Sequence, residues 1–132
     1  MKTFHATAVQ QFTEFDTRTV HTDDEKDQYL QFQSPEADDG TPDGVPDQAL
    51  DWEEGYGAVD VIVDDQGNSG FNCFSAAELR RDRFRVAFAR DPHMTKLGGV
   101  EVTFDLDDAA FAELRKGLEF VFRAYPNFRV AE

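Results

Sequence analysis

Residues 99–123, GVEVTFDLDDAAFAELRKGLEFVFR, change period once, and that change decides the fold class. Through Gly99-Val100-Glu101-Val102-Thr103-Phe104-Asp105 apolar and polar residues alternate, so Val100, Val102 and Phe104 share one face, as in a half-buried strand. Beyond Asp105 the spacing becomes helical: Phe111, Leu114, Leu118, Val121 and Phe122 make one apolar stripe. Glu113, Lys116, Glu119 and Arg123 fall on the other faces. Asp105, Asp107 and Asp108 offer a cap and first-turn carboxylates, and Pro126 stops the helix. A helix with a single apolar stripe needs an apolar sheet face to lie on.

Outward from that stretch, more strands supply the face. Arg83 to Ala89 alternates with Phe84, Val86 and Phe88 inward, and Asp91-Pro92 ends it. Ala58 to Asp64 alternates with Val59, Val61 and Val63 on one side. Asp65-Gln66-Gly67-Asn68-Ser69-Gly70 is a concentration of turn formers, and Gly70 to Ser75 then returns, which predicts a hairpin. Nearer the N-terminus, Thr3 to Gln10, Thr17 to Thr22 and Tyr29 to Gln33 read as strands, with acidic turn material at Asp23-Asp24-Glu25-Lys26-Asp27. The expectation is an α+β fold: an antiparallel sheet of about five to seven strands with one C-terminal amphipathic helix on one face. At 132 residues, 1–132 reads as a single domain, interrupted by a long acidic loop at 34–57 whose prolines and glycines forbid regular structure.

Charge is the second organising feature. The formal net charge is −14. Residues 1–65 hold 17 acids against Lys2, Arg18 and Lys26, whereas residues 66–132 hold ten of each sign. Salt adaptation of a host spreads acidity over a whole chain; this excess is confined to one half. Such a polarised field steers a basic partner and repels phosphates, which argues against nucleic acid as a ligand. No stretch approaches the roughly 20 apolar residues that span a bilayer, and the N-terminus lacks the apolar run of a secretory signal. With Cys73 as its single cysteine, no internal disulfide forms, and a cytoplasmic location is expected.

Catalytic constellations are thin. His5, His21 and His93 lie in separate segments without ligand spacing, and Cys73 sits mid-strand, where a buried thiol is inert. There is no phosphate-cradling glycine loop and no serine in a nucleophile elbow. Counting from Asp64 as a calcium loop, position 6 is Ser69 and position 12 is Ser75 where glycine and glutamate are required. No enzyme activity, cofactor or metal site is therefore expected. Inside the acidic loop, Trp52 stands between Asp51 and Glu53-Glu54, followed by Tyr56. An aromatic anchor ringed by carboxylates suits an interface with a basic partner; the plainer alternative is that Trp52 and Tyr56 tether the loop to the sheet edge.

The order Asp64-Asp65-Gln66-Gly67-Asn68-Ser69-Gly70-Phe71-Asn72-Cys73, then Arg81-Asp82-Arg83-Phe84-Arg85-Val86, then Gly99 to Phe104 and a closing amphipathic helix, resembles the immunity protein 10 family over roughly residues 58–124. The resemblance implies a small α+β protein that neutralises a cognate toxin of a bacterial polymorphic-toxin system. Residues and resemblance agree on a non-catalytic binder of a basic toxin, such as a nuclease, acting through the acidic N-terminal half. The candidate contacts are Asp51, Trp52, Glu53, Glu54 and Tyr56, joined by Asp64, Asp65 and Asn68 of the turn. The alternatives are a ligand-binding or regulatory module with a pocket between helix and sheet, and an enzyme using a buried carboxylate pair. Monomer and edge-paired homodimer both fit the pattern.

Overall fold

The computed structural model describes residues 2–14, 17–35, 59–71, 73–123, 125 and 127–131, and the fold is α+β. Instead of one sheet, two five-stranded sheets are found among these residues. The first is an antiparallel meander of β2 (Ala8–Glu14), β3 (Thr17–Asp23), β4 (Tyr29–Pro35), β5 (Asp60–Val63) and β6 (Asp65–Phe71), paired in chain order. The second is mixed, in the order β1 (Lys2–Ala6), β9 (Gly99–Phe104), β8 (Arg83–Phe88), β7 (Phe74–Arg80) and β10 (Phe128–Val130). In it β1 runs parallel to β9 and β10 parallel to β7, while the inner pairs are antiparallel.

Alternation identifies the face a strand buries but not the sheet it joins. The segment expected as one strand from Thr3 to Gln10 breaks at Thr7: Ala6 pairs with Phe104 in the mixed sheet and Ala8 with Asp23 in the meander. Thr7 N–H donates to the Asp23 carbonyl across 2.8 Å, so the corner keeps its backbone paired. The second crossing lies between Phe71, opposite Asp60, and Phe74, opposite Phe88.

The expected turn at Asp65 to Gly70 is strand β6; the reversal is made at Asp64, whose φ of 67° is left-handed. Asx and glycine residues enter an edge strand because its ladder already slips between Ile62 and Val63 and one side needs no partner. Gly70 is required by packing: a Cβ there would stand 2.6 Å from Cys73 Sγ and 2.9 Å from Met94 Cγ. The expected boundary of the acidic loop at residue 34 also moves, since Ser34 and Pro35 complete β4. Asp51, Trp52, Glu53, Glu54 and Tyr56 lie outside the described residues.

Among the described residues two helices are present where one was expected. Asp91-Pro92 ends β8 and also opens α1 (Pro92–Leu97), because aspartate ahead of proline at the first helical position is a start signal. Asp91 Oδ1 accepts from His93 N–H and Met94 N–H at 2.9 and 3.0 Å, and Met94 is fully buried. The expected helix is α2 (Asp108–Val121), capped by Asp107 Oδ1 accepting from Ala110 N–H at 2.7 Å. It lies across β2 and β3 and reaches β4.

The core lies between the sheets and α2. Phe32 of β4 meets Phe84 of β8 edge-to-face at 5.7 Å, Phe122 at 5.2 Å and Phe74 of β7 at 5.8 Å. Leu114, Leu118 and Val121 fill the space beneath α2, and Phe128 of β10 stacks on Phe122 at 5.4 Å. Gly117 sets how closely α2 approaches: a Cβ there would stand 2.9 Å from Val20 Cγ2 and 3.0 Å from Gln11 Cβ. Glycine in a helix interior normally costs about 1 kcal/mol against alanine. Here the order inverts, because buried, β-branched Val20 is stiff and overpacking costs about 1–3 kcal/mol. Gly117→Ala is expected to lower stability by about 1–2 kcal/mol in urea titration, with part of the loss recovered on adding Val20→Ala. A more stable Gly117→Ala would overturn this packing account.

Candidate functional site

The acidic turn between β3 and β4 is tied by its own carboxylates. Asp23 Oδ1 accepts from Glu25 N–H at 2.8 Å, and Asp24 Oδ1 accepts from the N–H groups of Lys26 at 2.9 Å and Gln28 at 3.1 Å. Partial desolvation works to raise the Asp24 carboxyl, but the donors of Gln28, Lys26 and Asp27 outweigh it and hold it below the ordinary range. Turn chemistry thus occupies Asp23 and Asp24, while Glu25 and Asp27 stand exposed.

Asp64 joins this turn from β5 and β6. Its N–H donates to the Tyr29 carbonyl, and its Oδ1 accepts from Tyr29 N–H, both at 3.0 Å. Its Oδ2 pairs with Lys2 Nζ at 2.8 Å, and Lys2 also donates to Gln28 Oε1 at 2.7 Å. On the open face of the meander the His21 and Tyr29 rings stack with centroids 5.4 Å apart. The His21 ring nitrogens face Gln31 Oε1 at 2.9 Å and Asp23 Oδ2 at 2.8 Å, which fixes the ring in place.

Together His21, Asp23, Glu25, Lys26, Asp27, Gln28, Tyr29 and Asp64 line an open cleft of about 480 Å³. A stacked ring pair stands beside carboxylates of which Glu25 and Asp27 point into water. That combination suits a guanidinium or ammonium side chain, which stacks on an aromatic ring while pairing with a carboxylate. No serine, threonine or cysteine is among these lining residues. Among the described residues no three His, Cys, Asp or Glu side chains converge as metal ligands.

The expected contact residues divide. Asp64 belongs to the cleft. Asp65 is exposed and accepts from Gly67 N–H at 2.7 Å. Asn68 Oδ1 bonds His93 Nε2 at 2.9 Å, tying β6 to α1. The strands that flank the acidic segment pair at Gln33 and Asp60, four residues along β4 from Tyr29, about 14 Å at roughly 3.4 Å per residue. His21, Asp23, Glu25, Asp27 and Tyr29 were not singled out from sequence. The run of charges at 23–27 ahead of Tyr29 was a visible signal; its union with Asp64 was not.

A second hollow, about 400 Å³, lies on the outer face of the mixed sheet among Glu78, Arg80, Asp82, Arg83, Arg85 and Glu101. Its charges largely satisfy one another. Arg80 and Arg129 share Glu78, whose carboxyl is held low by the Arg80 hydrogen bond first and by Arg129. Arg83 pairs with Asp82 at 3.1 Å and Glu101 at 3.6 Å. The charge asymmetry along the chain therefore becomes an asymmetry between an acid-rimmed meander and a mixed sheet whose strands carry Lys2, Arg80, Arg83, Arg85 and Arg129 against Glu78 and Glu101. Cys73 is fully buried, and burial first, with Asp91 beside it, pushes its thiol up to about 12. A thiol so held is no nucleophile near neutral pH. No family model, curated protein or solved structure matches the chain.

Proposed function

We propose that this chain is a non-catalytic immunity-type protein that binds and neutralises a cognate basic toxin, with the cleft at the end of the meander sheet as one contact region. The observation that carries the reading is the pairing of a stacked aromatic floor, His21 on Tyr29, with the exposed carboxylates of Glu25 and Asp27. The floor supplies desolvated contact area and the acids supply steering, the division of labour found in charged protein interfaces. The net charge of −14 extends the steering beyond the cleft. The sequence of the acidic segment, with Trp52 among Asp51, Glu53 and Glu54, supports a second contact region, and the resemblance over residues 58–124 supports the immunity assignment. Between α2 and the sheets, packed Leu114, Leu118, Val121 and Phe122 occupy the space that the small-ligand alternative needs.

The test is neutralisation by the purified chain. A basic protein captured from the host at low salt and released by salt is assayed for toxicity or enzymatic activity with and without an equimolar amount of this chain. Inhibition at one-to-one stoichiometry is expected, with an association rate that falls at least about tenfold between about 50 and 200 mM salt. Full activity of the captured protein in the presence of excess chain would overturn the inhibitor reading, and a salt-independent rate would overturn the steering.

A further inference from the structure

We infer that Lys2 is a positioning residue for the cleft, its ammonium fastening both the turn between β3 and β4 and the reversal at Asp64 to the mixed sheet. As positioning, this role rests on the binding function proposed above; as fastening, it stands on geometry alone. In β1 the alternation that buries Phe4 and Ala6 sends the Lys2 stem to the same side, toward the meander. At the end of that stem Nζ pairs with Asp64 Oδ2 at 2.8 Å and donates to Gln28 Oε1 at 2.7 Å. Both acceptors line the cleft, one on each of its two segments.

Each contact is passed on into the cleft. Asp64 makes its reversal with a left-handed φ of 67°, and its Oδ1 accepts from Tyr29 N–H at 3.0 Å. One carboxylate thus holds Tyr29 with one oxygen and Lys2 with the other. Gln28 Nε2 donates to Asp24 Oδ2 at 3.1 Å, and Asp24 Oδ1 accepts from the N–H groups of Lys26 and Gln28. The bonds therefore run from Lys2 through Gln28 and Asp24 into the turn that carries Glu25 and Asp27. The Lys2 and Asp64 side chains are 21% and 26% exposed, so solvent screens this pair less than a pair standing in water.

The contact is shaped for an ammonium. Its two acceptors come from different residues, and the other Asp64 oxygen is already taken by Tyr29 N–H. A guanidinium binds best as a fork on both oxygens of one carboxylate, whereas an ammonium is a point whose donors turn freely. Lys2→Arg therefore keeps the net charge of −14 and loses the geometry, while Lys2→Met keeps the stem and loses the charge. The second variant separates positioning from steering by sign. A more negative chain attracts a cation better by charge alone, whereas a loosened cleft binds it less well.

Amide hydrogen exchange is measured first, on the free protein. In both variants exchange at Gln28 and Tyr29 is expected to quicken at least about tenfold, with wild-type rates kept in the β8–β9 ladder. A tetra-arginine peptide, titrated at low salt and followed at the Tyr29 amide, is expected to bind both variants about three- to tenfold more weakly than wild type. Unchanged exchange at Gln28 and Tyr29 in Lys2→Met would overturn the role of Lys2, as would tighter peptide binding by that variant. Wild-type exchange in Lys2→Arg would overturn the ammonium geometry. A wild-type chain that leaves the peptide unbound would overturn the cleft as a contact region and not the fastening, which exchange decides without a ligand.

Discussion

Phe32→Ala is expected to lower stability by about 3–5 kcal/mol, the range for removing a fully packed phenylalanine. At roughly 4 °C per kcal/mol for a chain of this size, the melting temperature falls by about 12–20 °C. The size of the effect follows from position: Phe32 is 2% exposed and touches Phe84 and Phe74 of the mixed sheet and Phe122 beyond α2 at 5.2–5.8 Å. One ring thus joins all three parts of the fold, and the rings left behind are themselves packed on Tyr125, Phe128 and Phe88, so they cannot collapse inward. Phe32→Leu keeps most of the volume and is expected to cost less than half as much. Thermal melts followed by near-ultraviolet circular dichroism check both. A loss below about 1 kcal/mol for the alanine variant would mean that the two sheets do not share this core.

Reversing the cleft charges is expected to have the largest effect on binding. If the proposed basic partner docks at the cleft, Glu25→Lys with Asp27→Lys slows its association by about 10–100-fold at low salt, the range over which steering acts. Both side chains are exposed and neither holds the turn, which rests on Asp23 and Asp24. Melting temperature is therefore expected to change by no more than a few degrees. Glu14→Lys with Glu119→Lys makes the same change in net charge, Glu14 lying at the far end of the β2–β3 pair from Asp23, and a much smaller effect is expected. Equal slowing by both pairs would show that net charge alone steers, leaving the cleft without a role in recognition.

Phe84, Val86 and Phe88, Val100, Val102 and Phe104, and the α2 stripe turn inward on the side that their spacing predicted, with Phe111 only partly buried. Local pattern carries that information because period follows from backbone geometry, which each segment possesses by itself. The missed elements were short or ambiguous. Strand β10 has three residues, and α1 is one turn announced only by Asp91-Pro92. Strand β6 is built of residues that ordinarily make turns, held in a ladder because β5 offers it a partner.

For the candidate site, the acidic run at 23–27 and Asp64 were visible as composition. Their meeting was not: Asp64 reaches Tyr29 across 35 positions of chain, through a pairing of β4 with β5 that no local spacing encodes. The stacking of His21 on Tyr29 likewise depends on the register of β3 against β4, since one residue of slip would send one ring to the opposite face.

The sequence by itself determined the class of the fold, the buried face of most strands and of α2, and the confinement of excess acid to the first half, because each is a property of neighbours along the chain. Only the tertiary structure decided that there are two sheets, that the chain changes sheet at Thr7 and again between Phe71 and Phe74, and that Phe32 sits where both sheets meet the helix. It also decided which carboxylates share a cleft. The reason is physical: strand pairing satisfies backbone groups that are identical in every residue, so which strands pair is chosen by the packing of distant side chains around one core.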